Sequence, residues 1–462
     1  MVAESLPTEL LIKIFKLTRQ SRQEAIDFGK ISLNHNAWGL ARVCGRWRAT
    51  VLDMPCMWSD LVISIPTGTP PWVNYPIPLL KEQIERSGDD PMHVALISQE
   101  IPGYTTAKIF TAIVESCPRW ETLDLFSKTL LPTESLLYMR NRIPLLREIH
   151  ICADSERGYV GGHIFEHAPS LKTVHITEPR LHADNRNMDF MSVEYDSNYN
   201  DSFMWPTAPP FDPVFPFAQL THYESQCKHP NHFDALCLAQ NLTVCQATVV
   251  DHRHPNWRPP TTLVRFAHLH TLTLFAPAAL LDQLAFPLLQ NLFIESYPPD
   301  FPSVVAMLLR SNCSLRKFWM KAHPPAAQYA AILRANPAIE ELGIIGRESL
   351  RHLYGACPNI DQIIDCLRED NPSGALVPQL RAFCFHDQAT DLDVRRVVDM
   401  VQGRMQSART VRLERLRVTE CESRVFPVNA RQRIAQLENM GLQVEYKREH
   451  ERWLARGLLE YV

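Results

Sequence analysis

The sequence predicts an α/β fold in two parts, a small all-helical module followed by a curved solenoid of strand–helix repeats. Apolar residues in the first sixty positions recur at the spacing of helices. From Trp120 onwards, a phrase of the form apolar-x-x-apolar-x-apolar returns about every 20–26 residues, often directly after Pro or Cys. With 462 residues, the chain is longer than one compact core requires.

The first predicted helix begins near Pro7, which suits a first helical turn because its missing N–H would have no partner there. Leu10, Leu11, Ile14 and Phe15 then fall on one face of this helix.

A second helix is predicted from apolar residues at helical spacing, namely Leu40, Val43, Cys44, Trp47 and Val51. Pro55 ends it, and Leu61–Ile65 continues as an extended segment. The polar stretch Gln20–Ala37 is an insertion between the two helices. Spacing alone leaves two readings open: the apolar stripes pack against each other, or the surplus apolar surface binds a partner.

The repeated phrase is the strongest signal in the rest of the chain. Its copies are anchored at Trp120, Leu146, Leu171, Leu269, Leu289, Leu315, Ile339, Ile360 and Leu380. Five segments that precede such phrases have helix-compatible composition: Leu79–Ser87, Ala107–Ser116, Ser303–Ser311, Ala326–Ala335 and Val394–Gln406. A period of about 20–29 residues with this phrase is typical of leucine-rich repeats, in which neighbouring strand–helix units stack into one core.

These patterns predict the domain boundaries. The helical module covers residues 1–61, and the leucine-rich-repeat solenoid covers 62–446 with an irregular insertion at about 178–262. Short strands are still expected inside the insertion at Leu220–Ser225 and Leu242–Ala247. The charged segment 447–462 is expected to cap the array.

The N-terminal motif resembles the F-box in its fungal form. Leu6-Pro7-Thr8-Glu9-Leu10-Leu11 leads to Ile14-Phe15, then Val43-Cys44-x-x-Trp47-Arg48, then Pro55-x-x-Trp58-x-x-Leu61. The resemblance covers about residues 5–61. Many F-box proteins have leucine-rich repeats behind the F-box, in the same order as here.

This resemblance implies the substrate-recognition subunit of an SCF-type E3 ubiquitin ligase. The module would bind a Skp-type adaptor, and through it cullin, while the sheet surface and the insertions would bind an unknown target protein. The resemblance places these residues against the adaptor: Leu6, Pro7, Leu10, Leu11, Ile14, Phe15, Val43, Cys44 and Trp47. It implies a protein that acts in the cytoplasm, the nucleus or both.

Composition and motifs predict a protein that is not an enzyme and needs no cofactor. The sequence has no phosphate-binding glycine loop, nucleophile elbow or His-Glu-x-x-His motif. The net charge of −4 gives no reason to expect nucleic acid, and no apolar stretch is long enough to cross a membrane. With no signal peptide expected, the twelve cysteines are predicted to be free thiols.

Two alternatives remain open. The protein could be an interaction scaffold that recruits no ligase, or a metal-dependent enzyme that uses the Cys/His region 227–254. That region contains Cys227, His229, His232 and Cys237, with His252 and His254 further on, but the spacing matches no common zinc motif. We therefore predict no metal site and no catalytic residue. The acidic cluster Asp361, Asp365, Glu369 and Asp370 is expected to be a solvated helix face, and Trp257 a loop residue.

Overall fold

The computed structural model describes residues 6–18, 35–65, 77–98, 104–127, 136–153, 163–177, 214–225, 236–248, 262–276, 278–296, 301–320, 326–345, 360–368, 376–386, 394–420 and 428–448. These residues form two compact units. The first holds the described residues up to 177 and those from 214 to 239, and the second holds those from 240 onwards.

The first unit begins with helices and continues as a parallel sheet. Its helices are α1 (Thr8–Leu17), α2 (His35–Leu40), α3 (Gly45–Leu52), α4 (Ile77–Arg86) and α5 (Tyr104–Val114). Its strands are β1 (Asp60–Ile65), β2 (Met92–Ser98), β3 (Trp120–Ser127), β4 (Glu148–Ala153), β5 (Thr173–Thr177) and β6 (His222–Ser225). The strands pair in chain order, each parallel to the next.

The second unit alternates strands and helices almost throughout. Its helices are α6 (Ala278–Leu281), α7 (Phe301–Ser311), α8 (Ala326–Ala335), α9 (Ile360–Leu367), α10 (Val394–Gln406) and α11 (Val428–Asn439). Its strands are β7 (Val244–Thr248), β8 (Val264–Arg265), β9 (Thr271–Ala276), β10 (Leu284–Ala285), β11 (Asn291–Ser296), β12 (Lys317–Met320), β13 (Glu341–Ile345), β14 (Ala382–His386), β15 (Arg415–Glu420) and β16 (Gln443–Arg448). Strands β8 and β10 form a separate parallel pair, and the others are parallel neighbours in chain order.

The predicted architecture is wrong, although the chain is α/β. Instead of a small all-helical module followed by a curved leucine-rich-repeat solenoid, the described residues form a parallel sheet of fourteen strands with helices between many of them, and the N-terminal helices are part of the first unit. The core of these helices includes Met57 and Trp58, immediately before β1. From α4, the Gln83 Nε2 amide donates to the Asp60 carbonyl at 3.0 Å, so the helical segment is tied to the strand–helix layer.

The repeated phrase nevertheless marks strands because it places alternate side chains inside. On β3, Leu123 and Leu125 are completely buried, and on β5 Val174 and Ile176 are buried while their neighbours are half-buried. Residues two apart in a strand point to the same face, so each phrase supplies one buried row. This alternation is common to parallel strand–helix units and does not by itself determine how the units curve.

One predicted strand is a helix. The phrase at Ile360 and Ile363 lies in α9, where Ile363, Ile364 and Leu367 are buried. Apolar residues at intervals of three and four follow the helical period, and Asp361 lies in the first turn, where a negative charge is favourable.

The predicted second helix of the N-terminal module is two helices, α2 and α3. Cys44 separates them with extended backbone at φ −159°, and its Sγ accepts the Trp47 N–H at 3.5 Å. A side chain that accepts a hydrogen bond from the backbone N–H three residues further along the chain is an N-cap, so a new helix starts after Cys44. The helical spacing of the apolar residues therefore continues although the helix is interrupted.

A completely buried arginine braces the second unit. Arg404 on α10 donates from Nε to the Leu367 carbonyl at 2.8 Å, from Nη1 to the Val377 carbonyl at 3.2 Å, and from Nη2 to the Leu376 carbonyl at 2.5 Å. Val377 has φ of +47°, a conformation that β-branched residues rarely adopt. These three bonds fix the chain where it turns from α9 towards β14.

Candidate functional site

The nine residues predicted to face an adaptor divide by burial into three groups. Pro7, Leu10, Ile14 and Val43 are exposed. Leu6, Cys44 and Trp47 are half-buried. Leu11 and Phe15 are completely buried, so their side chains hold the helices together and do not form part of the surface that a partner could contact.

The exposed apolar surface of α1 is a continuous stripe. Leu10, Ile14 and Leu17 are 44%, 39% and 84% exposed, and their spacing of four and three residues places them on one side of the helix. Sequence reasoning omitted Leu17, although it continues this spacing. We call Leu10, Ile14 and Leu17 the α1 stripe.

The turn before α3 lies beside the start of α1. The Arg46 guanidinium donates to the Leu6 carbonyl and to the Thr8 Oγ1 at 3.3 Å. Val43, three residues before Arg46, is 57% exposed. Arg46 thus joins the start of α3 to the start of α1.

Aromatic packing holds the helices beneath this surface. The rings of Phe15 and Trp47 meet edge to face with centroids 5.0 Å apart. Trp38 and Trp58 meet in the same way at 5.0 Å, and the Arg86 guanidinium from α4 lies 4.6 Å from each of these two rings. Such cation–π contacts are stabilising. The exposed residues of the α1 stripe therefore belong to helices whose aromatic core is well packed.

A second candidate site lies on the half-buried face of the first unit's sheet. Strands β4, β5 and β6 place His150, His175 and Glu224 side by side in parallel register. The imidazole rings of His150 and His175 stack with centroids 4.1 Å apart. Nε2 of His150 is 2.6 Å from Oε1 of Glu148, and Nδ1 of His175 is 2.9 Å from Oε2 of Glu224.

Two histidines and one glutamate converge closely enough to bind a common ion. Ligand atoms of Glu148, His150 and His175 all lie within 4.8 Å of one another. His222, the neighbour of Glu224 on β6, lies beside this group. Burial, and then the charge of His175, lower the pKa of His222, while Glu148 opposes this shift.

Sequence reasoning missed this cluster, although the phrase contains the signal. His150 lies between Ile149 and Ile151, and His175 lies between Val174 and Ile176. Aligning the copies by their buried anchors places the two histidines at the same position, on the face opposite the buried row. The apolar residues that define the phrase carry no information about the residues between them.

The corresponding face of the second unit has different chemistry. Arg417 donates from Nε to Oε2 of Glu445 at 2.7 Å, and its Nη1 is 3.9 Å from Glu341. Trp319 on β12 lies directly over Gly343 on β13, its register partner. This face presents paired charges and an aromatic ring.

Of two further groups of residues that the sequence singles out, the structure describes only some members. Asp361 and Asp365 both approach Arg396 of α10, at 3.7 and 2.6 Å, so they form a helix–helix ion pair. Glu369, Asp370 and Trp257 lie outside the described residues. So do the members of the Cys/His region 227–254 other than Cys237, together with most of the insertion and of the tail.

The described cysteines are thiols without a disulfide among them. Burial raises the pKa of Cys117 to about 11 and of Cys245 to about 12, and it raises the pKa of Cys384 further. A thiol reacts as its thiolate, so these three side chains are poor nucleophiles.

No helix in the described part of the chain combines the length and apolar character that crossing a membrane requires. No protein-family model and no curated protein matches this chain.

Proposed function

We propose that this chain is a substrate-recognition subunit of an SCF-type E3 ubiquitin ligase. Its N-terminal helices bind a Skp-type adaptor, and through it cullin, while the sheet-bearing units bind a target protein. The chain itself catalyses no step and raises the rate of ubiquitin transfer by holding the target close to the conjugating enzyme. It acts in the cytoplasm, the nucleus or both.

The observation that supports this proposal most directly is the α1 stripe. Three large apolar side chains remain exposed on a ten-residue helix whose other face is fully used in the core. Contiguous exposed apolar surface is typical of protein–protein contact. Val43, in the second part of the F-box-like motif, is a further exposed apolar residue.

Burial decides which residues a binding experiment should change. Trp47 packs on Phe15, so its removal would disturb the core and would not test binding alone. Leu10 and Ile14 can be changed with less effect on folding because about four-tenths of each residue is exposed. Complete burial of such a side chain contributes about 1.5–3 kcal/mol, so covering the exposed fraction contributes about 0.6–1.2 kcal/mol at each position.

The experiment measures binding of the purified chain to a fungal Skp-type adaptor by calorimetry. We expect the wild type to bind and the double variant Leu10→Asp/Ile14→Asp to bind at least about 30-fold more weakly, since about 2 kcal/mol of contact is lost and two charges are placed in the interface. The matched control is Leu309→Asp, which changes a leucine 64% exposed on α7 of the second unit.

Binding that is the same in the wild type and in the double variant would remove the α1 stripe from the interface. A folded wild type that binds no adaptor would rule out the ligase assignment and leave the interaction-scaffold alternative. The Leu309→Asp variant is expected to bind as the wild type does, which shows that loss in the double variant is local.

A further inference from the structure

The histidines of the first unit's sheet are arranged as metal ligands. Glu148 and His150 are two residues apart on β4 and therefore lie on the same face, and His175 faces them from β5. Each side chain is partly accessible: Glu148 is 33%, His150 27% and His175 20% exposed. An ion could reach all three from solvent without opening the core.

The distances are close to those of a coordination sphere. Zinc lies about 2.0–2.1 Å from nitrogen and oxygen ligands, which separates neighbouring ligand atoms in a tetrahedron by about 3.3 Å. Oε1 of Glu148 and Nε2 of His150 are 2.6 Å apart, and His175 lies within 4.8 Å of both.

A carboxylate already orients one of the histidines for this role. Nδ1 of His175 pairs with Oε2 of Glu224 at 2.9 Å, which leaves Nε2 to bind the ion. Histidine ligands usually donate their second ring N–H to a carboxylate, and this contact fixes the tautomer and the ring orientation. Glu224 is only 12% exposed, so it is well placed to hold this geometry.

The local charge also favours a divalent cation. Glu148 and Glu224 border the two stacked rings, and Asp124 on β3 is the register partner of His150. Imidazole binds a metal in its neutral form, and here two imidazole rings stack with their centroids 4.1 Å apart. Imidazole nitrogen suits zinc and related transition metals, whereas Mg²⁺ and Ca²⁺ prefer oxygen ligands.

We infer that Glu148, His150 and His175 bind a divalent transition-metal ion of the zinc class, with Glu224 orienting His175. Three protein ligands leave one tetrahedral position for a water molecule or for a group from a bound molecule. This site uses none of the residues of the α1 stripe, and it does not depend on the proposed ligase function.

The test is zinc titration of the full-length chain, with any affinity tag removed, against a competing chelator dye. We expect the wild type to bind one Zn²⁺ that the His150→Ala/His175→Ala variant does not bind. His163→Ala is the matched control, because His163 is an exposed histidine in an ion pair with Glu166, and it should keep wild-type stoichiometry. Circular dichroism of each variant shows that the fold is retained.

A second variant separates orientation from ligation. Glu224→Gln should still bind one Zn²⁺, with affinity reduced about 10–100-fold, because loss of the second-sphere carboxylate weakens a site without removing a ligand. Co²⁺ substitution should give a visible spectrum without a thiolate charge-transfer band. The inference is overturned if the wild type binds no zinc, if the double variant binds as many ions with the same affinity, or if the Co²⁺ spectrum shows thiolate ligands.

Discussion

Replacing Gly343 with alanine should destabilise the second unit through one neighbour, Trp319. A Cβ at position 343 would lie 2.9 Å from Cε2 of the Trp319 indole and closer still to Cδ2 and Cε3. Real Cβ atoms do not approach so closely, and these are fused-ring atoms of a rigid side chain. The indole ring of Trp319 must therefore move away from β13, and this displacement disturbs its packing on β12.

Two opposing effects determine the size of the change. Forcing an extra methyl group into a packed contact costs about 1–3 kcal/mol. Glycine inside a strand is itself less favourable than alanine by about 0.5–1 kcal/mol, and the substitution recovers that amount. We therefore expect Gly343→Ala to lower the local stability of β12 and β13 by about 1–2 kcal/mol.

A double-mutant cycle isolates the ring as the cause. In a Trp319→Ala background the three closest contacts of the added methyl group are gone, so Gly343→Ala should be neutral or stabilising by up to about 1 kcal/mol, a coupling of about 2 kcal/mol. Native-state hydrogen exchange of the β12 and β13 amides measures this locally, which avoids assuming two-state unfolding of a chain with two units. An equal cost in both backgrounds would refute the reasoning.

Two further predictions concern buried polar groups. Arg404→Met should destabilise the second unit by about 3–5 kcal/mol, because three backbone carbonyls lose a charged hydrogen-bond donor. Denaturant titrations followed by hydrogen exchange measure this loss. A change below about 1 kcal/mol would contradict a stabilising role for Arg404. Iodoacetamide at pH 8 should leave Cys117, Cys245 and Cys384 unmodified in the folded chain, because burial raises their pKa values. In denaturant it should alkylate all three cysteines. Peptide mass spectrometry measures the extent of modification in both states.

The positions of most strands could be predicted from the sequence because burial imposes a period of two. The phrases at Trp120, Leu171 and Leu380 each coincide with a strand of the structure. The same phrase at Leu413, Leu416 and Val418 precedes and enters β15, although it is not among the predicted copies.

The architecture could not be predicted in the same way because it depends on contacts between distant residues. Nothing local indicates that Trp58 completes the core of the N-terminal helices, or that Arg86 from α4 lies across Trp38 and Trp58. The break before α3 depends on the backbone at Cys44, where helical spacing of apolar residues continues without a helix. The spacing of apolar residues indicates which side chains are buried. It does not indicate which other residues pack against them.

The candidate site on the sheet of the first unit lies on the face opposite the buried anchors. In each phrase the anchors point into the core, whereas the residue between the last two anchors points to the other face of the strand. This position is His150 on β4 and His175 on β5, whereas on β13 it is Gly343, which admits the ring of Trp319. The two units therefore share the same pattern of buried anchors, whereas the side chains on the opposite face of their strands differ. Where a ligand would bind can thus be inferred from the repeated phrase, whereas its identity depends on which side chains occupy adjacent strands in register.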